Sequence, residues 1–120
     1  MWIMTEEGFF SAVENNFNRK EVVVRARQRK DLENLLGFID YDAFEVGPIQ
    51  ENKGSDYRYR LFMSKQCWAE YVEYAAMSIN YTNFKDRIAK VDYSRAHTYG
   101  EVWSVLYDLQ INENKSKIGK

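Results

Sequence analysis

Apolar and polar residues alternate with a period of two over the first quarter of the chain and again near residue 60; a helical period takes over elsewhere. Trp2-Ile3-Met4 and Phe9-Phe10-Ser11-Ala12-Val13-Glu14 read as two strands. Thr5-Glu6-Glu7-Gly8 between them predicts a hairpin turn in which Gly8 supplies a positive φ. Asn15-Asn16-Phe17-Asn18 has loop composition. Residues 21–27 predict a third strand, because β-branched side chains suit a pleated surface. Val22, Val24 and Ala26 fall on one of its faces, Arg25 and Arg27 on the other. A short helix is expected over 30–36, with Asp31 as N-cap or first-turn acid, Leu32, Leu35 and Leu36 as its stripe and Gly37 as its stop. Phe44-Glu45-Val46 predicts a short strand ended by Gly47-Pro48, where proline restricts pairing to a sheet edge. Residues 50–56 read as a polar loop.

The strongest alternation runs over 57–63. Tyr57, Tyr59, Leu61 and Met63 share one face, and Arg58, Arg60 and Phe62 the other. Ser64 is placed to cap a helix over 65–79, whose Trp68, Tyr71, Val72, Ala75 and Ile79 face the core. Asn83, with Asp86 three residues on, opens a third helix striped by Phe84, Ile88 and Val91. Ser94 opens a fourth, with Tyr99, Val102, Trp103, Leu106 and Leu109 as its apolar side; Gly100 within it costs about 1 kcal/mol relative to Ala. The order predicts an α+β fold: an antiparallel sheet of four to five strands with about four helices, three of them C-terminal, packed mainly on one face. No internal repeat or linker interrupts the chain, so a single domain over 1–111 is expected, with a flexible basic tail over 112–120.

The composition of the 120 residues is that of a folded chain, 45% hydrophobic and 29% charged. Nine Tyr, seven Phe and three Trp make it rich in aromatics, which suits packed cores and contact surfaces alike. Seventeen basic against 18 acidic residues leave a net charge of -1, which disfavours a general nucleic-acid or membrane-surface binder. No apolar run approaches the roughly 20 residues that span a bilayer. The lone Cys67 excludes an intramolecular disulfide and, with no leader-like start, suggests a cytoplasmic setting.

Few catalytic or metal chemistries find their residues. His97 is the sole histidine, and no signature sets Cys67 or a serine beside it. Cys67 falls in a first helical turn, where a thiol can be activated, but reads better as a small packed residue. Asp40-Tyr41-Asp42 carries two carboxylates without the glycine and distal Glu of a calcium loop. The glycines form neither a dinucleotide fingerprint nor a P-loop. No cofactor and no metal are expected.

The positive feature is a set of arginines. If both firm strands lie in one sheet with helices on the Val22 and Leu61 side, Arg25, Arg27, Arg58 and Arg60 project from the other face, with Val23 and Phe62 adding apolar contact on that face. Guanidinium forks suit phosphates and carboxylates. The plainer reading is a solvated face on which Glu14, Glu45 or Glu51 pairs with them. Tyr81-Thr82-Asn83-Phe84-Lys85 is a second patch, with Tyr81 and Lys85 as ligand-binding candidates at a pocket rim and a cap with a core anchor as the plainer reading. The expectation is a non-enzymatic binding module for an anionic partner: a phosphorylated ligand, nucleic acid or an acidic protein patch. Two rivals stand beside it. One is a protein–protein inhibitor or assembly subunit, of a phage or defence type, that uses exposed aromatics. The other is a small enzyme acting on a phosphate ester, with His97 or Asp40 and Asp42 as acid or base. Each is compatible with a homo-oligomer.

Met1-Trp2-Ile3-Met4-Thr5-Glu6-Glu7-Gly8-Phe9-Phe10-Ser11, Val24-Arg25-Ala26-Arg27, Asp56-Tyr57-Arg58-Tyr59-Arg60 and Tyr81-Thr82-Asn83-Phe84-Lys85 together resemble a group of small bacterial proteins that begin Met-Trp-x-x-Thr-x-x-Gly-Phe. The resemblance runs from Met1 to about Leu109. It implies no activity and adds no residue to the candidate site.

Overall fold

The computed structural model describes residues 1–118, with side chains through 115. The chain divides into two compact units, Met1–Ile79 and a second that begins at Asn80.

In the first unit, strands β1 (Trp2–Met4), β2 (Phe9–Asn15), β3 (Asn18–Ala26), β4 (Gln50–Glu51) and β5 (Tyr59–Ser64) form an antiparallel sheet in the order β1-β2-β3-β5-β4. Helices α1 (Arg29–Leu36) and α2 (Lys65–Met77) supply the apolar side chains that cover one face. The register follows from alternation: Val24 lies opposite Ala12 and Leu61, and Val22 opposite Met63, so their side chains share the buried face. Leu32 and Leu35 from α1, and Cys67, Trp68 and Tyr71 from α2, complete that core around Phe10. Full burial of each large side chain contributes about 1.5–3 kcal/mol. Phe10, Trp68 and Tyr71 meet edge to face or tilted, with ring centroids 5.6–6.1 Å apart.

Ser64 ends β5 and caps α2 at once, its Oγ accepting from the Cys67 N–H at 3.0 Å. The β1–β2 turn is tied to α2 by a buried polar relay. Tyr71 Oη donates to Glu7 Oε1 at 2.7 Å, so its 2.7 Å bond with Thr5 Oγ1 is donated by the threonine. Burial pushes the Tyr71 phenol well above its ordinary pKa, and it stays a donor. Gly8 does not take the expected left-handed conformation; no described residue has a positive φ. Its role is close approach. A Cβ at position 8 would overlap the Asp31 carboxyl group, and buried Asp31, in the first turn of α1, accepts the Phe9 N–H at 3.1 Å.

The fourth strand is displaced from its expected place. Phe44 and Val46, with Ile49, turn their side chains onto the core from an irregular connection. Gly47 donates one bond to the Phe62 carbonyl, Pro48 has no N–H to give, and pairing with β5 resumes only at Gln50 and Glu51. Tyr57, expected beside Tyr59 on the core face, precedes β5 and lies against the arginines instead. Helix α2 stops before Ile79, which is exposed.

The second unit is a helical hairpin of α3 (Phe84–Val91) and α4 (Tyr93–Ile118). Asn83 Oδ1 accepts the Asp86 N–H and opens α3 as the capping pattern predicts. Asp92 serves both helices. Its N–H closes α3 on the Ile88 carbonyl, and its Oδ1 accepts the Arg95 N–H, taking the capping role expected of Ser94. Phe84 stacks on Tyr99 at 6.0 Å, and Ile88 and Ala96 are buried between the helices. Val91, expected in the stripe of α3, is exposed. Helix α4 continues through 112–118, where the sequence predicts a tail; residues 119–120 lie outside the described residues. No helix among the described residues is long and apolar enough to cross a membrane.

Gly8→Ala should destabilise the protein by about 1–3 kcal/mol, because the added methyl must displace buried Asp31 and the turn it holds. Urea unfolding reads this directly, and an unchanged midpoint would contradict the close-approach role.

Candidate functional site

Residues that face each other in register share a face of the sheet. Trp2, Ser11, Arg25, Arg60 and Gln50 therefore form one row across all five strands, on the face opposite Val24 and Leu61. Val13, Val23 and Phe62 form the next row. Both firm strands thus lie in one sheet with their arginines on one side, as the alternation predicts. Arg25 and Arg60 are direct cross-strand neighbours, a position in which like charges repel.

Each arginine of the row finds a neutral partner. Arg25 Nη2 donates to Ser11 Oγ at 2.7 Å, and Arg60 Nη2 to Ser55 Oγ at 2.9 Å. The Nε of each is buried with no acceptor. Arg27, one residue beyond β3, donates from Nη1 to the Asp56 carbonyl at 3.1 Å. The Tyr57 ring, only 4% exposed, takes both Arg25 and Arg27, whose guanidinium carbons lie 4.7 and 4.6 Å from its centroid. Among the described residues no carboxylate forms an ion pair with Arg25, Arg27 or Arg60. Three cations therefore share hydroxyls, one carbonyl and one arene.

Arg58 stands apart from this row. It donates from Nε and Nη2 to Glu51 Oε1 at 3.1 and 2.8 Å and lies 5.5 Å from the Tyr59 ring centroid. That bond to Arg58 holds the Glu51 carboxyl below its usual range. Here the plainer reading describes the outcome: Arg58 precedes β5, beside the edge strand β4, and the nearest carboxylate on that edge captures it. Of the other acids weighed for this role, Glu14 pairs with Lys65 at 2.7 Å.

Tyr81 and Lys85 belong to the second unit. Tyr81 packs on Phe84 at 5.9 Å and carries the Arg87 guanidinium 5.1 Å from its centroid; Arg87 also donates to Asn80 Oδ1. Tyr81 and Asn83 line a shallow groove of about 330 Å³ with Asp86, Arg87 and Lys90. Lys85 lines a different groove, of about 530 Å³, with Tyr93, His97, Glu101 and Trp103. His97 itself is 78% exposed, with Nε2 3.3 Å from Glu101 Oε1 one helical turn on. Buried Cys67 has its thiol pushed up, first by desolvation and then by Glu70, which is the reverse of activation. Asp40 spends its carboxylate on the Asp42 N–H in a local turn. No three His, Cys, Asp or Glu side chains among the described residues converge to hold a metal ion.

Comparison with family models, with curated proteins and with solved structures finds no match.

Sequence reasoning reaches Arg25, Arg27 and Arg60 and misses Ser11, Ser55 and Tyr57. Ser11 carries a signal, a small polar residue on the arginine side of an alternating strand. Ser55 and Tyr57 carry none, because a turn over 52–57, not a strand period, brings them back over the sheet.

Two substitutions separate the row from its edge. Arg58→Gln should leave the unfolding midpoint within error, since its ion pair with Glu51 is open to solvent. Tyr57→Ala should cost about 3 kcal/mol in urea unfolding, through lost burial and lost stacking on two guanidiniums. Equal effects at the two sites would contradict the assignment.

Proposed function

We propose that the protein is a non-enzymatic binding module that takes a compact anionic group, a phosphate above all, on the row of Arg25, Arg60 and Arg27. The observation that carries this reading is the direct opposition of Arg25 and Arg60, with no carboxylate among the described residues in ion-pair contact with either. A buried donor left without an acceptor costs about 1–3 kcal/mol, and the row holds two, Arg25 Nε and Arg60 Nε. An oxyanion can accept from two guanidiniums at once, and its charge offsets their repulsion.

The size of the cluster selects among anionic partners. Three cations on one stretch of sheet fit a single phosphate or carboxylate group. A nucleic-acid strand would ask for a longer basic track, and the balance of 17 basic and 18 acidic residues does not supply one. A phosphorylated small ligand is therefore favoured over nucleic acid.

The reading separates function from stability. Arg60→Gln removes a like-charge neighbour of Arg25, so the free protein should unfold at the same midpoint or a higher one. The same variant should lose the response to phosphate. In the unsubstituted protein, inorganic phosphate at about 100 times its dissociation constant should add about 2.7 kcal/mol to stability. Thermal unfolding over a phosphate series, at constant ionic strength set with chloride, measures both. A phosphate response that survives Arg60→Gln together with Arg25→Gln, or no response at all, overturns the reading.

A further inference from the structure

Helix α4 is apolar over more of its length than its neighbour can cover. With 8 residues against 26, α3 is about 12 Å long and α4 about 39 Å. Helix α3 occupies the first turns of α4, through Phe84 on Tyr99 and through Ile88 and Ala96. Beyond them Trp103, Val105, Leu106 and Leu109 are 70%, 66%, 58% and 70% exposed, and Trp103 stacks on exposed Tyr107. Exposed apolar residues this close together on one helix mark a contact surface, unlike apolar residues scattered singly.

The spacing of that surface identifies its occupant. Arg95, Tyr99, Val102, Leu106, Leu109 and Glu113 recur at alternating intervals of four and three, the seam of a helix that pairs with another. The four middle positions are apolar, one end is a cation and the other an anion, and the ends lie equally far from Ser104. Such a stripe is complementary to itself when reversed. Two antiparallel copies centred on Ser104 bring Val102 to Leu106, Tyr99 to Leu109 and Arg95 to Glu113, each contact occurring twice, as a two-fold interface requires. Parallel copies would set Arg95 on Arg95 and Glu113 on Glu113. Tyr99 is already under Phe84, so the apolar contact centres on Val102, Leu106 and Leu109, with Trp103 and Val105 at its margins. Arg95 keeps Asp92 and the Tyr99 hydroxyl within its own helix, and the partner's carboxylate adds to them.

We propose that α4 is a homodimerisation helix, and that its partner is the α4 of a second copy of this chain, packed antiparallel. The result is a four-helix arrangement in which the second copy shares the Arg95 and Tyr99 end of the seam with α3 and alone covers Leu106 and Leu109.

Native mass spectrometry and sedimentation of the full chain test this. A dimer is expected at micromolar concentration. Leu106→Glu with Leu109→Glu should yield a monomer with unchanged far-ultraviolet circular dichroism, because both side chains are exposed within the single chain. Glu113→Arg alone should weaken the dimer about tenfold, and adding Arg95→Glu should restore it, since the exchanged charges again face each other. A chain that stays monomeric at tens of micromolar, a dimer that survives the two leucine changes, or a charge exchange that restores nothing overturns the proposal. None of these outcomes bears on the arginine row, because no residue of that row lies on α4.

Discussion

The register between β3 and β5 is the constraint on which the first unit depends. It sets Val22 against Met63 and Val24 against Leu61, and those four side chains are the floor on which α1 and α2 pack. Because strand side chains alternate, a slip of one residue would turn that floor to solvent and bring the arginines into the core. The core therefore fixes the register, and the register fixes Arg25 opposite Arg60. The charge opposition is not a free choice of the surface. Given arginine at both positions, packing on the other face enforces it.

What was legible in the sequence follows the distance over which each feature is determined. The faces of β3 and β5 were readable because alternation is local, and so were the Ser64 and Asn83 caps, each set by residues three apart. The order of strands and helices was readable for the same reason. Local pattern puts Gly8 in a turn but says nothing of Asp31, the neighbour that requires a glycine there, because Asp31 comes from another element. Phe44 and Val46 looked like a strand and act as core plugs; the choice between pairing and plugging is made by Pro48 and by the space beneath the sheet. Alternation puts Tyr57 on the core face because the period in the sequence begins two residues before β5 does. The fate of Arg58 turned on which segment forms the edge strand, and no local pattern states that Glu51 lies there.

The second unit shows the converse. Its helices and their stripe were legible, yet an apolar stripe in sequence reports only that something covers it. Tyr99 is covered by α3, whereas Leu106 and Leu109, with the same spacing and the same chemistry, are not. The difference lies in the length of α3, which ends its coverage after the first turns of α4. Amphipathicity identifies a face, and only the neighbouring element's length says how much of that face the chain can satisfy by itself.

Like charges placed directly opposite on neighbouring strands destabilise the pair, on the order of 1 kcal/mol. Stacking on Tyr57 returns about 0.5–2 kcal/mol per guanidinium, but only Arg25 and Arg27 have that ring, and Arg60 does not. The Ser11 and Ser55 hydroxyls are dipoles and leave the charge in place. A third charge of opposite sign between the two guanidiniums adds two attractions against the one repulsion, so the sum changes sign. Packing does not require this arrangement, since a neutral hydrogen-bonding side chain at position 60 could serve the Ser55 hydroxyl without repelling Arg25. The row thus keeps like charges side by side, with Tyr57 as the cover that holds two of them in place.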